Sequence, residues 1–233
     1  MLKQSVTGPQ PKRGRGRPPA TSVQQILAAA RRLIDREGWE KLTIRGLAQE
    51  LGIGATTIYH HVRDREDLLV QLISDHAATL PRPALPEKPS ERVVAATVAL
   101  RTALRELPWA AEVLTVDGFV GRLSDDALWF VETILDGAHE SGCTAEQSVE
   151  LFRNIWYFTV GEILVRARSG GSGQPDVDRA RLLNAAVAPF EGRDASKVPQ
   201  LAAIGDEWPA LAARDSFENG VRALIRGALE HRA

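Results

Sequence analysis

The spacing of apolar residues constrains this chain more than any other feature. After residue 20 they recur at three- and four-residue steps, which places them on one face of an α-helix. The first such set is Val23, Ile26, Leu27, Ala30, Leu33 and Ile34. No segment shows the strict apolar–polar alternation of a half-buried strand. We therefore predict an all-α fold.

Caps and breakers refine this pattern into ten helices. They are predicted at about 22–37, 44–51, 55–62, 65–80, 90–107, 109–116, 122–141, 145–169, 176–190 and 214–231. Four prolines between residues 81 and 89 predict a linker, and Gly170–Pro175 predicts a flexible loop. The stretch 191–213 is expected to be mostly loop, with one short helix near Pro199–Ile204.

Composition excludes several classes of protein. Hydrophobic residues make up 44% of the chain and charged residues 25%, and 233 residues can bury a core without disulfides. A single cysteine, Cys143, excludes an intramolecular disulfide and argues against a cysteine-based zinc site. No apolar run reaches the ~20 residues of a membrane span, and the N-terminus does not resemble a secretory signal. A cytoplasmic protein is the expectation.

Charge is distributed unevenly along the chain. Residues 1–80 carry 12 Lys and Arg against 8 Asp and Glu, whereas residues 81–233 carry 17 against 22. This asymmetry suggests that only the N-terminal part meets a polyanion, although a chance fluctuation of a few charges is the alternative.

The first 20 residues contain five basic side chains, no acidic one, and much glycine and proline. We predict that residues 1–20 form a disordered basic arm. Its Arg15-Gly16-Arg17-Pro18 resembles the core of an AT-hook, a motif that lies in the minor groove of A·T-rich DNA. Arg13, Arg15 and Arg17 would enter that narrow, electronegative groove. A merely solubilising tail is the alternative.

Residues 43–62 have the features of a helix-turn-helix. Two short helices flank the turn Gly52-Ile53-Gly54, and Ala48 is small where helices must cross. Apolar residues that can dock the unit on the first helix are Ile44, Leu47, Leu51, Ile53 and Ile58. The outer face of the third helix is polar and suits phosphate oxygens and base edges. It carries Thr56, Thr57, Tyr59, His60 and His61.

Three segments together resemble the DNA-binding domain of the TetR family of transcriptional regulators. They are Thr43–Ile53, with the sequence TIRGLAQELGI, Thr57–Val62, with TIYHHV, and Asp64–Leu69, with DREDLL. Two further segments, Phe158–Gly161 and Phe217–Gly227, are similar to the regulatory domain of the tetracycline-sensing members. The resemblance implies a DNA-binding domain over residues 21–67 and a helical regulatory and dimerisation domain over 68–233.

The resemblance also implies individual DNA contacts. Thr43 and Arg45 would face DNA, with Arg45 on a guanine, a pairing worth ~1–3 kcal/mol of discrimination. Ala55 and Thr56 would touch base edges. Phosphates would be held by Thr57, Tyr59, His61 and Arg65, and His60 is a further candidate. A core position for Tyr59 and plain solvent exposure of the two histidines are the alternatives. Adjacent histidines point ~100° apart on a helix and do not readily share a metal.

The helices at about 145–169 and 214–231 are apolar on more than one face. The resemblance implies that they pair with their copies in a four-helix homodimer interface. Two-fold symmetry would then place two recognition helices about one DNA turn, ~34–36 Å, or slightly more apart on a palindromic operator.

Aromatic and polar residues in the middle of the chain are candidates for an effector pocket. They are Trp109, Phe119, Trp129, His139, Phe152, Trp156, Tyr157 and Glu162. The alternative is that these aromatic residues only fill the core. The tetracycline-sensing members hold a magnesium–drug chelate with histidines, but the matching stretches Thr79–Pro83 and Leu114–Val116 lack histidine. We therefore expect no metal.

No catalytic motif is present: the sequence lacks Gly-x-Ser-x-Gly, a P-loop and a Gly-x-Gly-x-x-Gly between strand and helix. We expect no enzyme activity and no cofactor. The resemblance implies a ligand-responsive transcriptional repressor that binds operator DNA as a homodimer and is released by a small apolar effector. The alternatives are an architectural protein that binds DNA without sequence preference, and a regulator with no small-molecule effector.

Overall fold

The computed structural model describes residues 21–115, 118–169 and 194–230. All regular structure in these ranges is helical, which confirms the predicted all-α class. Eleven α-helices are described: α1 Val23–Glu37, α2 Ile44–Leu51, α3 Ala55–Tyr59, α4 Arg65–Thr79, α5 Pro89–Glu106, α6 Pro108–Val113, α7 Asp125–Glu140, α8 Ala145–Ser169, α9 Pro199–Ile204, α10 Trp208–Ala213 and α11 Phe217–Glu230. Short 3₁₀ helices cover Trp39–Lys41, Phe119–Arg122 and Gly205–Glu207.

Most predicted helices lie within a few residues of their expected bounds, and three regions differ. The third helix ends at Tyr59 rather than near 62, because His61 N–H turns back to the carbonyl of Ile58 at 2.8 Å. The helix expected at 122–141 starts at Asp125, where Ser124 is the N-cap. The stretch 191–213 contains a second helix, α10, that was expected to be loop. The predictions for residues 1–20 and 170–190 lie outside the described residues.

The chain divides into two compact units, one ending at Val62 and the other beginning at Arg63. The boundary expected from the sequence, between residues 67 and 68, falls inside the first turn of α4. That helix packs against α6 and α7, so it belongs to the larger unit.

The smaller unit is built on α1, α2 and α3. Ser22 caps α1 in a reciprocal box with Gln25, in which each side chain accepts the other residue's backbone N–H. Ile26, Leu47 and Ile58, one from each helix, are fully buried. Each helix therefore contributes an apolar side chain to one small core.

In the larger unit, α5 and α7 pack most extensively, and α8 covers both. Gly137 allows the close approach of α7 to α5, since a Cβ on it would lie 2.8 Å from the carbonyl oxygen of Pro89. One core cluster joins α5, α7, α8 and α11 around Val93, Ile134 and Ile155. A second cluster joins α4, α5, α6 and α8 around Trp156. No helix in the described ranges is long and apolar enough to cross a membrane.

A buried ion pair ties α5 to α8 and to the start of α11. Arg101 is only 7% exposed; it donates to Glu162 Oε1 at 2.7 Å and to Asp215 Oδ2 at 2.8 Å. Its guanidinium also lies 4.5 Å from the ring centroid of Phe217. Burial alone would lower the pKa of Arg101, but the two carboxylates raise it. The charge is therefore kept, and the start of α11 is fixed.

Candidate DNA-binding surface and ligand cavity

Helix α2 begins with a side-chain cap and buries one face. Thr43 Oγ1 accepts the backbone N–H of Gly46 at 3.0 Å, which satisfies a free donor of the first turn. Ile44, Leu47 and Ala48 are at most 8% exposed. Thr43 and Arg45 are exposed, and within the described chain Arg45 forms no ion pair. The guanidinium of Arg45 is therefore available to a ligand outside the chain.

The turn after α2 depends on one left-handed residue. Gly52 has φ 65° and ψ 30°, and its N–H bonds the carbonyls of Ala48 and Gln49. Ile53 N–H also bonds the carbonyl of Ala48, at 3.0 Å, which completes a helix stop of the Schellman type. Gly54 has φ −74° and ψ 143°, an ordinary extended conformation, and it starts α3.

Helix α3 is anchored by a single buried side chain. Ile58 is fully buried, whereas Thr56 and His60 are exposed and Tyr59 is 55% exposed. The alternative that Tyr59 fills the core is therefore wrong. The three other candidates on this segment, Ala55, Thr57 and His61, are partly buried.

The remaining DNA-contact candidates lie elsewhere. Arg65 is the first residue of α4, in the larger unit, and is partly buried. Arg13, Arg15 and Arg17 lie outside the described residues. The predicted DNA contacts between Thr43 and His61 therefore all lie in the smaller unit.

The larger unit encloses a small apolar cavity of about 50 Å³. Its wall comes from α4, α5, α6, the 3₁₀ helix at Phe119–Arg122, α7 and α8. Sixteen side chains line it, none of them Lys, Arg, Asp or Glu. Phe119 and Trp156 contact each other in the wall, with ring centroids 4.9 Å apart and ring planes tilted by 35°. The apolar lining is that of a small-molecule site, whereas the volume holds only about one or two water molecules, so a larger ligand would have to displace part of the wall.

The structure brings together three of the eight effector candidates, since Phe119, Phe152 and Trp156 line the cavity. Trp109 packs on the adjoining core cluster but is not part of the wall. Trp129 is also outside the wall and lies edge-on to Phe130, with centroids 5.1 Å apart.

Three polar candidates do not line the cavity, because they are exposed or paired with other side chains. His139 is exposed in the last turn of α7. Tyr157 is 57% exposed, and its hydroxyl accepts from Arg153 Nη2 at 2.8 Å. Glu162 takes part in the ion pair with Arg101 described above and also pairs with Arg166, four residues further along α8.

Sequence reasoning missed the one histidine on the wall, His76. This residue is in the last turn of α4, three residues after Ile73, which also lines the cavity. That spacing was the available signal, because residues three apart share a helix face. In the described residues, no three His, Cys, Asp or Glu side chains come together as metal ligands.

Comparison with known proteins agrees with this architecture. Residues 26–72 match the family model described as bacterial regulatory proteins, tetR family. An HTH-type transcriptional regulator of Saccharopolyspora erythraea is 27% identical over 215 residues, which cover 90% of this chain and 85% of that protein.

Two solved structures share the fold. The Streptomyces coelicolor TetR family protein ActR in complex with actinorhodin has a TM-score of 0.71 at 21% identity, covering 91% of this chain and 96% of that one. BioQ with its double-stranded DNA operator has a TM-score of 0.61 at 19% identity, covering 91% and 99%. They show the shared fold, while the family model and the HTH-type relative show that the chain carries a DNA-binding domain of the tetR family and is a DNA-binding transcriptional regulator.

Proposed function

We propose that the protein is a repressor that binds a palindromic operator as a homodimer and leaves it when a small apolar molecule occupies the cavity. The observation that carries the ligand response is the cavity itself: about 50 Å³ with an apolar wall, which a ligand would enlarge by displacing part of that wall. A fully packed core would leave no such space. ActR, solved with actinorhodin, and BioQ, solved with its operator, supply the analogy for both partners.

Base reading is assigned to the exposed start of α2 and to α3. Arg45 is placed on a guanine in the major groove, beside Thr43, and Ala55 and Thr56 on base edges. The exposure of Thr43, Arg45 and Thr56 supports these roles. Phosphates are assigned to Thr57, Tyr59, His60, His61 and Arg65, whose side chains donate hydrogen bonds or carry charge.

Release requires an effector that binds two conformations with different affinity. Helix α4 contributes Ile73, His76 and Ala77 to the cavity wall, and it begins three residues after Val62. A ligand that displaces α4 therefore acts on the DNA-binding unit through a short covalent connection.

The homodimer is assigned to α8 and α11. Helix α8 exposes four large apolar side chains, and a cluster of exposed apolar side chains usually marks an interface. They are Val149, Tyr157, Phe158 and Val165. Next to them, Gly227 and Ala228 of α11 line an open groove in which another helix can approach closely.

The basic arm is assigned to the minor groove beside the site read by α3. The support is in the sequence: Arg13, Arg15 and Arg17 alternate with glycine shortly before α1. The narrow, electronegative minor groove of A·T-rich DNA attracts arginine side chains.

The test is fluorescence-anisotropy binding to the DNA upstream of the protein's own gene, with scrambled DNA as competitor, across a salt series. Arg45→Ala is expected to weaken specific binding by about 10–100-fold, in line with ~1–3 kcal/mol for a bidentate base contact. Arg105→Ala removes the same charge from an exposed position on α5 and is expected to leave binding unchanged. Equal binding to scrambled DNA, falling steeply with salt, would instead indicate an architectural protein.

The same assay tests the arm. Replacing Arg13, Arg15 and Arg17 with glutamine is expected to remove any preference for A·T pairs flanking the operator. Inosine·cytosine pairs lack the amino group in the minor groove, so the unaltered protein should bind them like A·T pairs. If guanine and inosine flanks bind equally well, the arm does not read the minor groove.

A further inference from the structure

His76 provides a polar group in an otherwise apolar cavity wall. Its side chain is 17% exposed, and its Nε2 is buried without a hydrogen bond. Glu106 Oε2 lies 3.3 Å from that nitrogen, within ion-pair distance, but the two atoms form no hydrogen bond. A buried polar atom without a hydrogen bond costs free energy, so a ligand that supplies one gains affinity.

The charges around the cavity restrict the ligand further. No Lys or Arg is among the sixteen side chains of the wall, so an anionic ligand would lose its hydration without gaining a counter-charge. The carboxylate of Glu106, beside His76, would also repel it. A neutral group is therefore favoured.

The rest of the wall favours a flat aromatic body. Four aromatic side chains, Phe119, Phe130, Phe152 and Trp156, come from three different elements. Aromatic rings pack on one another in offset or edge-to-face geometry, which adds to the gain from burial.

We infer that this cavity takes an uncharged aromatic molecule bearing a hydroxyl group, and that His76 is the residue that selects the hydroxyl. The inference rests on the proposed function of the cavity as the effector site. A hydroxyl can donate to an unprotonated Nε2 or accept from a protonated one, and it can also donate to Glu106. A carbonyl can accept a hydrogen bond but cannot donate one, and a hydrocarbon can do neither.

The experiment uses the full chain and three probes of one size: naphthalene, 2-naphthol and 2-naphthoate. Equilibrium dialysis near neutral pH gives their dissociation constants. We expect 2-naphthol to bind about tenfold more tightly than naphthalene, equivalent to ~1.4 kcal/mol. We expect 2-naphthoate to bind more weakly than 2-naphthol.

Two variants locate the preference. His76→Phe keeps a flat ring but removes the polar atoms, and it is expected to reduce the ratio between naphthalene and 2-naphthol to about one. His139→Phe, at the exposed histidine outside the cavity, is the matched control and should keep the tenfold ratio. His76→Gln retains a polar amide and should keep part of the preference; it also serves if His76→Phe does not fold.

Ala103→Phe, which fills the cavity, separates this inference from the proposed function. If both aromatic probes bind the wild type and neither binds Ala103→Phe, the cavity is the ligand site. In that case, two results overturn the role of His76 but leave the cavity as the ligand site. One is a tenfold preference for 2-naphthol over naphthalene that survives His76→Phe, and the other is the absence of this preference from the wild type. Binding of no probe to the wild type contradicts both proposals.

Discussion

The two glycines of the turn between α2 and α3 have different tasks. Gly52 has φ 65°, a conformation that costs other residues about 1–2 kcal/mol, whereas Gly54 has φ −74°. The sequence alone predicts that both glycines supply backbone freedom to the turn. A dihedral angle is set by the helix stop around it, so only the structure separates them.

This difference gives a prediction for the smaller unit. Gly52→Ala is expected to destabilise it by about 1–2 kcal/mol through backbone strain alone, because a Cβ there meets nothing within 4 Å. Gly54→Ala is the matched control and is expected to change stability by less than about 0.5 kcal/mol, because the gain from a less flexible unfolded chain is offset by the preference for glycine over alanine at the N-cap of α3. Urea unfolding measures both. Equal effects of the two substitutions would contradict the assignment.

Asp215 gives a prediction that depends on pH. The hydrogen bond from Arg101 lowers the pKa of Asp215, although burial partly offsets it. A lowered pKa in the folded state adds stability above the unfolded value of about 3.9, and this stability is lost as the pH falls through the folded value.

Asp215→Asn is therefore expected to destabilise the protein at pH 7, by less than about 1 kcal/mol because the side chain is 54% exposed. The difference in unfolding free energy between the wild type and Asp215→Asn should narrow below about pH 4. Thermal unfolding at several pH values measures it, with Glu132→Gln, an exposed charge on α7, as control. A gap that stays constant with pH would show that the ion pair adds no stability.

The two candidate sites differ in how far single residues could be predicted. Thr43, Arg45 and Thr56 follow from a local pattern, because one short segment carries both the buried face and the polar face. His76 and His139 could not be ranked in this way. Both lie near helix ends, and only the packing of distant elements decides which faces a cavity.

At the scale of elements, local signals fixed most helix bounds. Ser22, Thr43 and Asp64 cap α1, α2 and α4 with the side-chain hydrogen bonds that their sequence positions indicate. Helix α10 lies in a stretch that was expected to be loop, but its Pro209 is in the first helical turn, where proline is well tolerated. Caps are local and therefore readable, whereas α6, α9 and α10 have no side-chain cap and only the first two were predicted.

The packing of α5 on α7 gives a prediction about Gly137. Gly137→Ala is expected to destabilise the larger unit by about 1–3 kcal/mol, because the new Cβ would overlap the backbone of Pro89 and the side chain of Val93. Gly161→Ala, on α8, is the control. A Cβ there meets nothing within 4 Å of its own chain, and the higher helix propensity of alanine should stabilise by up to about 1 kcal/mol.

Chemical denaturation with circular dichroism at constant protein concentration measures both glycine variants. If Gly137→Ala proved as stable as Gly161→Ala, the close approach of α5 and α7 would not be needed for folding.

At the scale of the whole molecule, the exposed apolar side chains of α8 predict the site of self-association. Tyr157→Asp would bury a charge in the proposed interface and is expected to weaken the dimer by at least about 100-fold. Leu85→Asp places the same charge on another exposed apolar residue, in the linker, and should have no effect. Sedimentation velocity over a dilution series measures both. A Tyr157→Asp protein that remains dimeric would place the interface elsewhere.

The cavity is the feature that could be predicted least well from the sequence. Six elements between residues 73 and 156 form its wall, and most of them are far apart in sequence. The aromatic cluster in the sequence indicated the right region of the chain. The positions that face inward depend on how the helices rotate against one another, which a single sequence does not specify.

The close approach of α5 to α7 at Gly137 also makes the cavity mechanically uneven. That contact lies outside the wall, but it holds α5 and α7 close together, and both helices line the cavity elsewhere along their length. Another part of the wall consists of the six-residue α6 and a four-residue 3₁₀ helix, neither with a side-chain cap, and few hydrogen bonds resist its displacement. A guest larger than the resting volume would therefore deform the cavity in one direction, and the bulk of a compound would determine how far that movable side travels.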